Sequence, residues 1–362
     1  MSICRHYILK GVDVYEKKMR SASLIFVLII FAMMNCTGCR QQEDVEQPRS
    51  EASLFAMNTY MTFTAFGENA QAALTDVKQM VQQSEGLWSV TDENSEIYRA
   101  NHSNGQTIDI SEETATILSF MLEMAEKTDG ALEPTIYPVL TEWGFTTETK
   151  CIPSQEQIEK LLLNVGYERI QLDGNRLTVP NGMQLDLGAV GKGYTADLAE
   201  QILKAYGIES AVINLGGNVQ VVGARPDGSD WRIGIRDPFG NGNLGILEIS
   251  DAAVVTSGGY ENFFEDAAGN VYWHILDAST GYPAKNGLLS VTVVSSEGKL
   301  SDALSTALFV MGQEAAEEYW RTNGGFEMLL VTEQNKIIMT EGLKDRFSLN
   351  EGRKETIRVA EE

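Results

Sequence analysis

The chain has 362 residues, a hydrophobic fraction of 43% and a formal net charge of −23. That length and apolar content suit one large domain or two ordinary ones with a real core, and exclude a disordered chain. The negative charge repels nucleic acid, so no nucleic-acid partner is expected, and a phosphorylated ligand would need local cations, most simply a divalent metal.

The first 39 residues read as a targeting segment. Lys17, Lys18 and Arg20 form a basic region, Leu24 to Met34 is an unbroken apolar run too short to span a bilayer comfortably, and Thr37, Gly38 and Cys39 follow. The ending Cys36-Thr37-Gly38-Cys39 resembles a bacterial lipobox. Residues 1–38 are then a signal peptide, with Met19 an alternative start, and Cys39 carries the lipid. A signal anchor with incidental cysteines is the competing reading. Residues 39–50, polar with Pro48, read as a tether holding the chain on the extracytoplasmic face of a bacterial membrane. Past Cys39 only Cys151 remains, so no structural disulfide is expected.

Met61, Phe63 and Ala65 alternate with polar residues as a strand does, after the turn-like Met57-Asn58-Thr59. Ala73, Val77, Met80, Val81, Ser84 and Leu87 follow helical spacing. Ser111 caps a second helix ending near Gly130, and Ser154 with Gln157 forms a capping box for a third. Short strands follow: Ala211 to Leu215, Val219 to Val222, Trp231 to Ile235, Leu244 to Ile249, Tyr272 to Leu276 and Leu289 to Val294. A helix from Ser301 to Met311 and a hairpin of Met328 to Thr332 with Lys336 to Thr340 complete residues 51–345, read as one α+β unit of antiparallel strands and packed helices. Residues 346–362 read as a charged, frayed tail.

The stretch Gln184 to Asp197 reads as strand, glycine turn and helix. Gly188, Gly191 and Gly193 let backbone N–H groups approach an anion, and Lys192 adds a mobile charge; a plain tight connection is the alternative. His274, at a strand end beside Asp277, has the makings of a general base or of a packed core histidine. Asp302 and Thr306, four apart, put a carboxylate and a hydroxyl on one helical face, a pair that suits Mg²⁺ or serves only to finish the helix. Thr256 to Tyr260 reads as a hydroxyl and glycine turn between strands. Gly130 to Thr135 and Trp143 to Phe145 offer apolar and aromatic walls.

Seven motifs in order resemble the ApbE family, the FAD:protein FMN transferases. They are Met57-Asn58-Thr59; Ser89 with Ser95 to Asn101; Gly130 to Phe145; Asp186 to Tyr194; Asn214 to Asn218; Thr256-Ser257-Gly258; and His274 to Pro283 with Asp302 to Gly312. The resemblance implies a fold related to the tunnelling-fold proteins and an FAD substrate whose pyrophosphate sits on Mg²⁺. It implies flavin-nucleotide contacts from Met57, Thr91, Ala131, Leu132, Glu133, Asp186, Lys192, Ser257 and Leu276. Metal ligation falls to Ala189 through its carbonyl, Asp302 and Thr306, and catalysis to His274 with Asp277. Asn58 stands where glycine is usual, Glu133 where aspartate is, and Thr91 where an aromatic often touches the flavin. The implied reaction moves FMN from FAD to a threonine or serine hydroxyl of a partner flavoprotein and releases AMP. Implied acceptors are subunits of sodium-pumping NADH:quinone reductase or Rnf-type complexes, or extracellular flavin reductases. Rival readings of the same site are an FAD pyrophosphatase and a lipoprotein that binds FAD without chemistry.

Overall fold

The structure is a computed structural model describing residues 47–361, with 148 and 354 excepted. The segment read as a signal peptide, Cys39 and the residues read as a tether up to 46 lie outside the described residues. No helix among the described residues is long and apolar enough to cross a membrane.

Among the described residues, nine strands form one sheet whose spatial order is the chain order. They are β1 (Arg49–Ala56), β2 (Thr59–Phe66), β3 (Ser210–Leu215), β4 (Asn218–Val222), β5 (Ala252–Gly258), β6 (Leu288–Ser295), β7 (Glu327–Thr332), β8 (Lys336–Thr340) and β9 (Thr356–Ala360). Neighbours pair antiparallel up to β8, and β9 joins β8 in parallel. The longer helices are α1 (Ala70–Trp88), α2 (Glu112–Lys127), α3 (Gly191–Ala205), α4 (Gly298–Met311) and α5 (Gln313–Asn323).

Strand periodicity sorts the core into layers. Ala211, Ile213 and Leu215 of β3 pack with Leu74, Val77 and Val81 of α1 and Ala196, Ala199 and Leu203 of α3. Val291 and Val293 of β6 pack with Leu304, Ala307 and Leu308 of α4. The opposite face, with Val219, Val221, Val254, Leu329 and Val331, is covered by a small sheet of 231–236, 243–249 and 347–349. The α+β reading of the sequence is borne out, as are Ser111 capping α2 and the Ser154–Gln157 capping box.

Several boundaries differ. Arg49 and Ser50, read as tether, already belong to β1 and pair with Phe66 and Ala65. The tail is ordered sheet: Phe347–Leu349 pairs with 245–247, and β9 lies beside β8. Its charges mislead because they are matched, Arg358 by Glu317 and Arg353 by Asp237 and Glu355. Gln184 to Leu187 is no strand. Its backbone bonds go to the Asn101 side chain, which donates to Leu185 O at 2.8 Å and accepts from Leu185 N at 2.7 Å, and to Pro134 O. Thr256 to Gly258 is the end of β5, and the turn begins at Gly259. The strand read at Tyr272 to Leu276 breaks at His274, whose N–H bonds Asn262 O between two separate ladders.

Candidate active site

The site is assembled where the ends of β4 and β5 meet the starts of α3 and α4. β3 and β4 are joined by Gly216-Gly217, with φ of +69° and +100°, so the chain reverses in two residues and Asn218 opens β4 directly beneath the turn. Ser257, near the end of β5, shares hydrogen bonds with the hydroxyls of Ser305 at 2.8 Å and Thr306 at 3.3 Å, which ties the sheet edge to α4.

Helices α3 and α4 cross at two glycines. A Cβ on Gly193 would stand 2.2 Å from Gly298 O, and one on Gly298 would stand 2.4 Å from Gly193 O. Each helix also carries the other's cap. Asp197 of α3 accepts from Gly298 N at 2.6 Å and Lys299 N at 3.0 Å, which is why α4 starts three residues before Ser301. Asp302 of α4 accepts from Gly193 N at 2.8 Å. The glycine turn therefore serves the approach of the helices, and the N–H at Gly193 is committed to a carboxylate of the protein itself.

Two lobes open on either side of the segment from Asp186 to Lys192. The inner one, about 300 Å³, is lined by Ala131, Leu132, Glu133, Ala189, Ser257, His274, Leu276, Asp302 and Thr306, with Asn218 and Glu261 in the same wall. The outer one, about 610 Å³, has aromatic walls from Phe55, Trp88, Tyr137 and Phe145, with Met57 and Thr91 at its rim. Asp186, Gly188 and Lys192 line both, so the lobes share one polar junction.

The electrostatics of that junction centre on Lys192, which makes no ion pair among the described residues. Asp302 is 4% exposed, and burial raises its carboxyl above the usual range even though Lys192 and the N–H of Gly193 pull the other way. Burial likewise raises Asp186, against the N–H of Gly188 and the charge of Lys192. His274 is pushed down to about 4, first by burial and then by Lys192. It is therefore a neutral imidazole at ordinary pH, and its Nδ1 has no hydrogen-bond partner among the described residues.

These donors suit a hard cation. Among the described residues, no three His, Cys, Asp or Glu side chains converge to hold a metal by themselves. What is present is the buried Asp302 carboxylate, a hydroxyl one helical turn on and the Ala189 carbonyl, to which no backbone N–H bonds among the described residues, a sparse set of the kind that suits Mg²⁺ with water and phosphate oxygens. Thr306 bonds Ser257 and not a carbonyl of its own helix.

Residues 57–330 match the ApbE family. The chain belongs to that family. The FAD:protein FMN transferase of Treponema pallidum (strain Nichols) is 32% identical over 301 residues, covering 78% of this chain and 83% of the relative. That of Vibrio cholerae (strain O395) is 32% identical over 247 residues, covering 66% and 73%. The crystal structure of the ApbE protein of Thermotoga maritima superposes with a TM-score of 0.78 at 34% identity, over 83% of this chain and 99% of that one. The flavin transferase ApbE of Vibrio cholerae gives 0.76 at 26%, with coverage of 83% and 99%.

In this ApbE chain the residues singled out from sequence fall into three groups. Ala131, Leu132, Glu133, Asp186, Ala189, Lys192, Ser257, His274, Leu276, Asp302 and Thr306 meet at the inner lobe, and Met57 and Thr91 flank the outer one. Asn58, standing where glycine is usual, has φ +58°, a left-handed turn position that asparagine tolerates. Glu133 is also a knot of the wall, accepting from Thr135 N, Thr135 Oγ1 and Tyr167 N.

Asp277 is the exception. Its carboxylate accepts from Ser279 N at 2.8 Å and Ser279 Oγ at 2.6 Å, which builds the turn that follows, and it lines neither lobe. The expected His274–Asp277 pairing is not formed, because the strand break at His274 turns the two side chains to different neighbours. Asn218 and Glu261 were missed as site residues. The glycine pair before Asn218 was the one sequence signal available, since a two-residue reversal fixes the residue that follows it.

Proposed function

We propose that this chain transfers the FMN part of FAD to a threonine or serine hydroxyl of a partner flavoprotein and releases AMP. The observation that carries the reading is the pair of lobes joined at one polar junction that carries Lys192, the shape of a ligand with two ring systems on a central pyrophosphate. The aromatic outer lobe suits the isoalloxazine and the smaller inner lobe the adenine. The naming of the relatives as FAD:protein FMN transferases supports the same substrate.

Asp302, Thr306 and the Ala189 carbonyl would hold Mg²⁺, which supplies charge neutralisation at the pyrophosphate. Lys192, which makes no ion pair among the described residues, shares that load between the lobes. Asp186 accepts from Gly188 N at 3.0 Å and keeps the turn in place. His274, neutral and sealed at Nδ1, takes the acceptor's hydroxyl proton as the oxygen bonds to the FMN-side phosphorus. The bond from that phosphorus to the bridging oxygen breaks, and AMP leaves with the electron pair. The lipobox resemblance at Cys39 supports anchorage on the extracytoplasmic face, beside flavoproteins of the cell envelope.

The test is an incubation of the protein with FAD and Mg²⁺, with and without the soluble domain of an Rnf-type acceptor subunit, following AMP by chromatography and the acceptor by mass. AMP released only with acceptor, together with an FMN adduct, is expected. Release without acceptor would make the chain a pyrophosphatase, and no release a binding protein.

A further inference from the structure

Asn218 is 3% exposed, and neither its amide nitrogen nor its amide oxygen has a hydrogen-bond partner among the described residues. A carboxamide has two donors and an oxygen with two lone pairs, and a buried polar group left unpaired keeps its full desolvation penalty. Backbone relaxation does not rescue it easily. Asn218 is pinned by its register with Leu215 on one side, and the β4–β5 ladder, Val254 against Val219, holds the residue next to it on the other. Val219, the next residue, packs into the layer under the small sheet, so Asn218 points to the helix side, as do Gln220 and, on β5, Ser257. It thus lies in the inner-lobe wall on the face that carries Asp302 and Thr306.

We propose that Asn218 is a substrate-positioning residue whose carboxamide donates to a phosphate oxygen of the bound dinucleotide and accepts from water of its cation. The amide meets both halves of that assembly: phosphate oxygens only accept, and cation-bound water only donates. Apolar packing would fill the position more stably in the empty protein. The assignment rests on the reading of FAD as the ligand and adds the group that orients its pyrophosphate.

The experiment uses the full chain, Asn218→Leu and the isosteric Asn218→Asp, with three readouts. These are thermal unfolding without ligand, FAD affinity with Mg²⁺ by flavin fluorescence, and riboflavin affinity, riboflavin having the ring and no phosphate. For Asn218→Leu, unfolding at or above the wild-type temperature, FAD binding weaker by about tenfold or more and unchanged riboflavin binding are expected. Asn218→Asp, which loses the donor and adds a charge facing phosphate, should weaken FAD binding further and strengthen Mg²⁺ binding without FAD. If both variants bind FAD as the wild type does, the amide is only a buried unpaired group and the assignment is wrong. Equal losses for FAD and riboflavin would also overturn it, since the amide would then serve the ring. A wild-type chain that binds no FAD would sink the transferase reading along with it, which separates that failure from failure of the Asn218 role alone.

Discussion

The backbone N–H of Gly193 donates to Oδ2 of Asp302 across 2.8 Å, so the side chain proposed to hold a cation is also the cap on the first turn of α3. The contact requires glycine. Gly193→Ala would place a methyl 2.2 Å from Gly298 O and 2.7 Å from the Asp302 Cβ, and backbone on one side cannot yield as a flexible side chain does. Parting the helices should cost about 1–3 kcal/mol and displace Asp302 together with its cap. Expected outcomes are a lower unfolding temperature and loss of Mg²⁺-dependent FAD binding, read by calorimetry and fluorescence. A variant that keeps both would show the crossing to be looser than drawn.

Asp302→Asn should separate stability from function. The carboxylate is buried and makes no ion pair among the described residues, and the amide keeps the acceptor for Gly193 while removing the charge. The ligand-free variant is expected to unfold at or above the wild-type temperature, whereas Mg²⁺-dependent turnover drops by about a hundredfold or more, as losing a cation that contributes several kcal/mol implies. Turnover close to wild type would remove Asp302 from the metal.

A pH dependence follows from the same burial. Asp302 and Asp186 both have raised carboxyl pKa values in the fold, first through burial. Their contribution to stability is therefore fully present below the unfolded carboxylate value and is lost as pH rises through the folded values. Mg²⁺ binds the ionised form, so its affinity moves the opposite way. Thermal scans from about pH 4 to about pH 8 should show the Mg²⁺-induced rise in unfolding temperature growing with pH. A rise independent of pH would mean that Mg²⁺ binds elsewhere.

Much of the sheet was legible from its patterning: β2, β3 and β4 carry buried apolar residues at period two, the β7–β8 hairpin is two short continuous apolar runs buried on both faces, and turns with glycine or asparagine bound them. β9 was hidden by charge. Its Arg358 faces Glu317 on α5, a pairing between residues 41 positions apart that no local pattern reveals. At the site, motif order pointed to most of the residues that line the inner lobe, whereas Asn218 and Glu261 in the same wall were given no role. Pattern alone left the role of Gly193 open, because a tight turn toward an anion and a tight crossing of two helices demand the same residue. Asn218 stands in a motif and after a glycine pair, but what marks it as a site residue, an amide with no partner among the described residues, shows only in three dimensions.

Asp277 tests the correction directly. Asp277→Ala removes two bonds to Ser279 and should lower stability by about 0.5–1.5 kcal/mol while leaving acceptor-dependent turnover within about threefold. A collapse of turnover with the fold intact would restore Asp277 to the chemistry.

His274 carries the sharpest prediction. Its imidazole, sealed at Nδ1 and near Lys192, is pushed down to about 4 from the ordinary 6.5. The unfolded chain therefore binds more protons than the fold between those values, so His274 stabilises the protein above the unfolded value, and that contribution is lost as pH falls through the folded one. In nitrogen-15 NMR of the ligand-free protein the ring should titrate with a midpoint near 4. The pyrophosphate of bound FAD, bringing negative charge toward Lys192, should move the midpoint upward, closer to working pH, where a general base is most effective. His274→Ala should then lose about 10²–10⁴ in acceptor-dependent turnover and keep its affinity for FAD. If the free ring titrates at its ordinary value, the cavity does not seal it, and the case for His274 as a neutral base held ready in the empty site fails even where the variant is inactive.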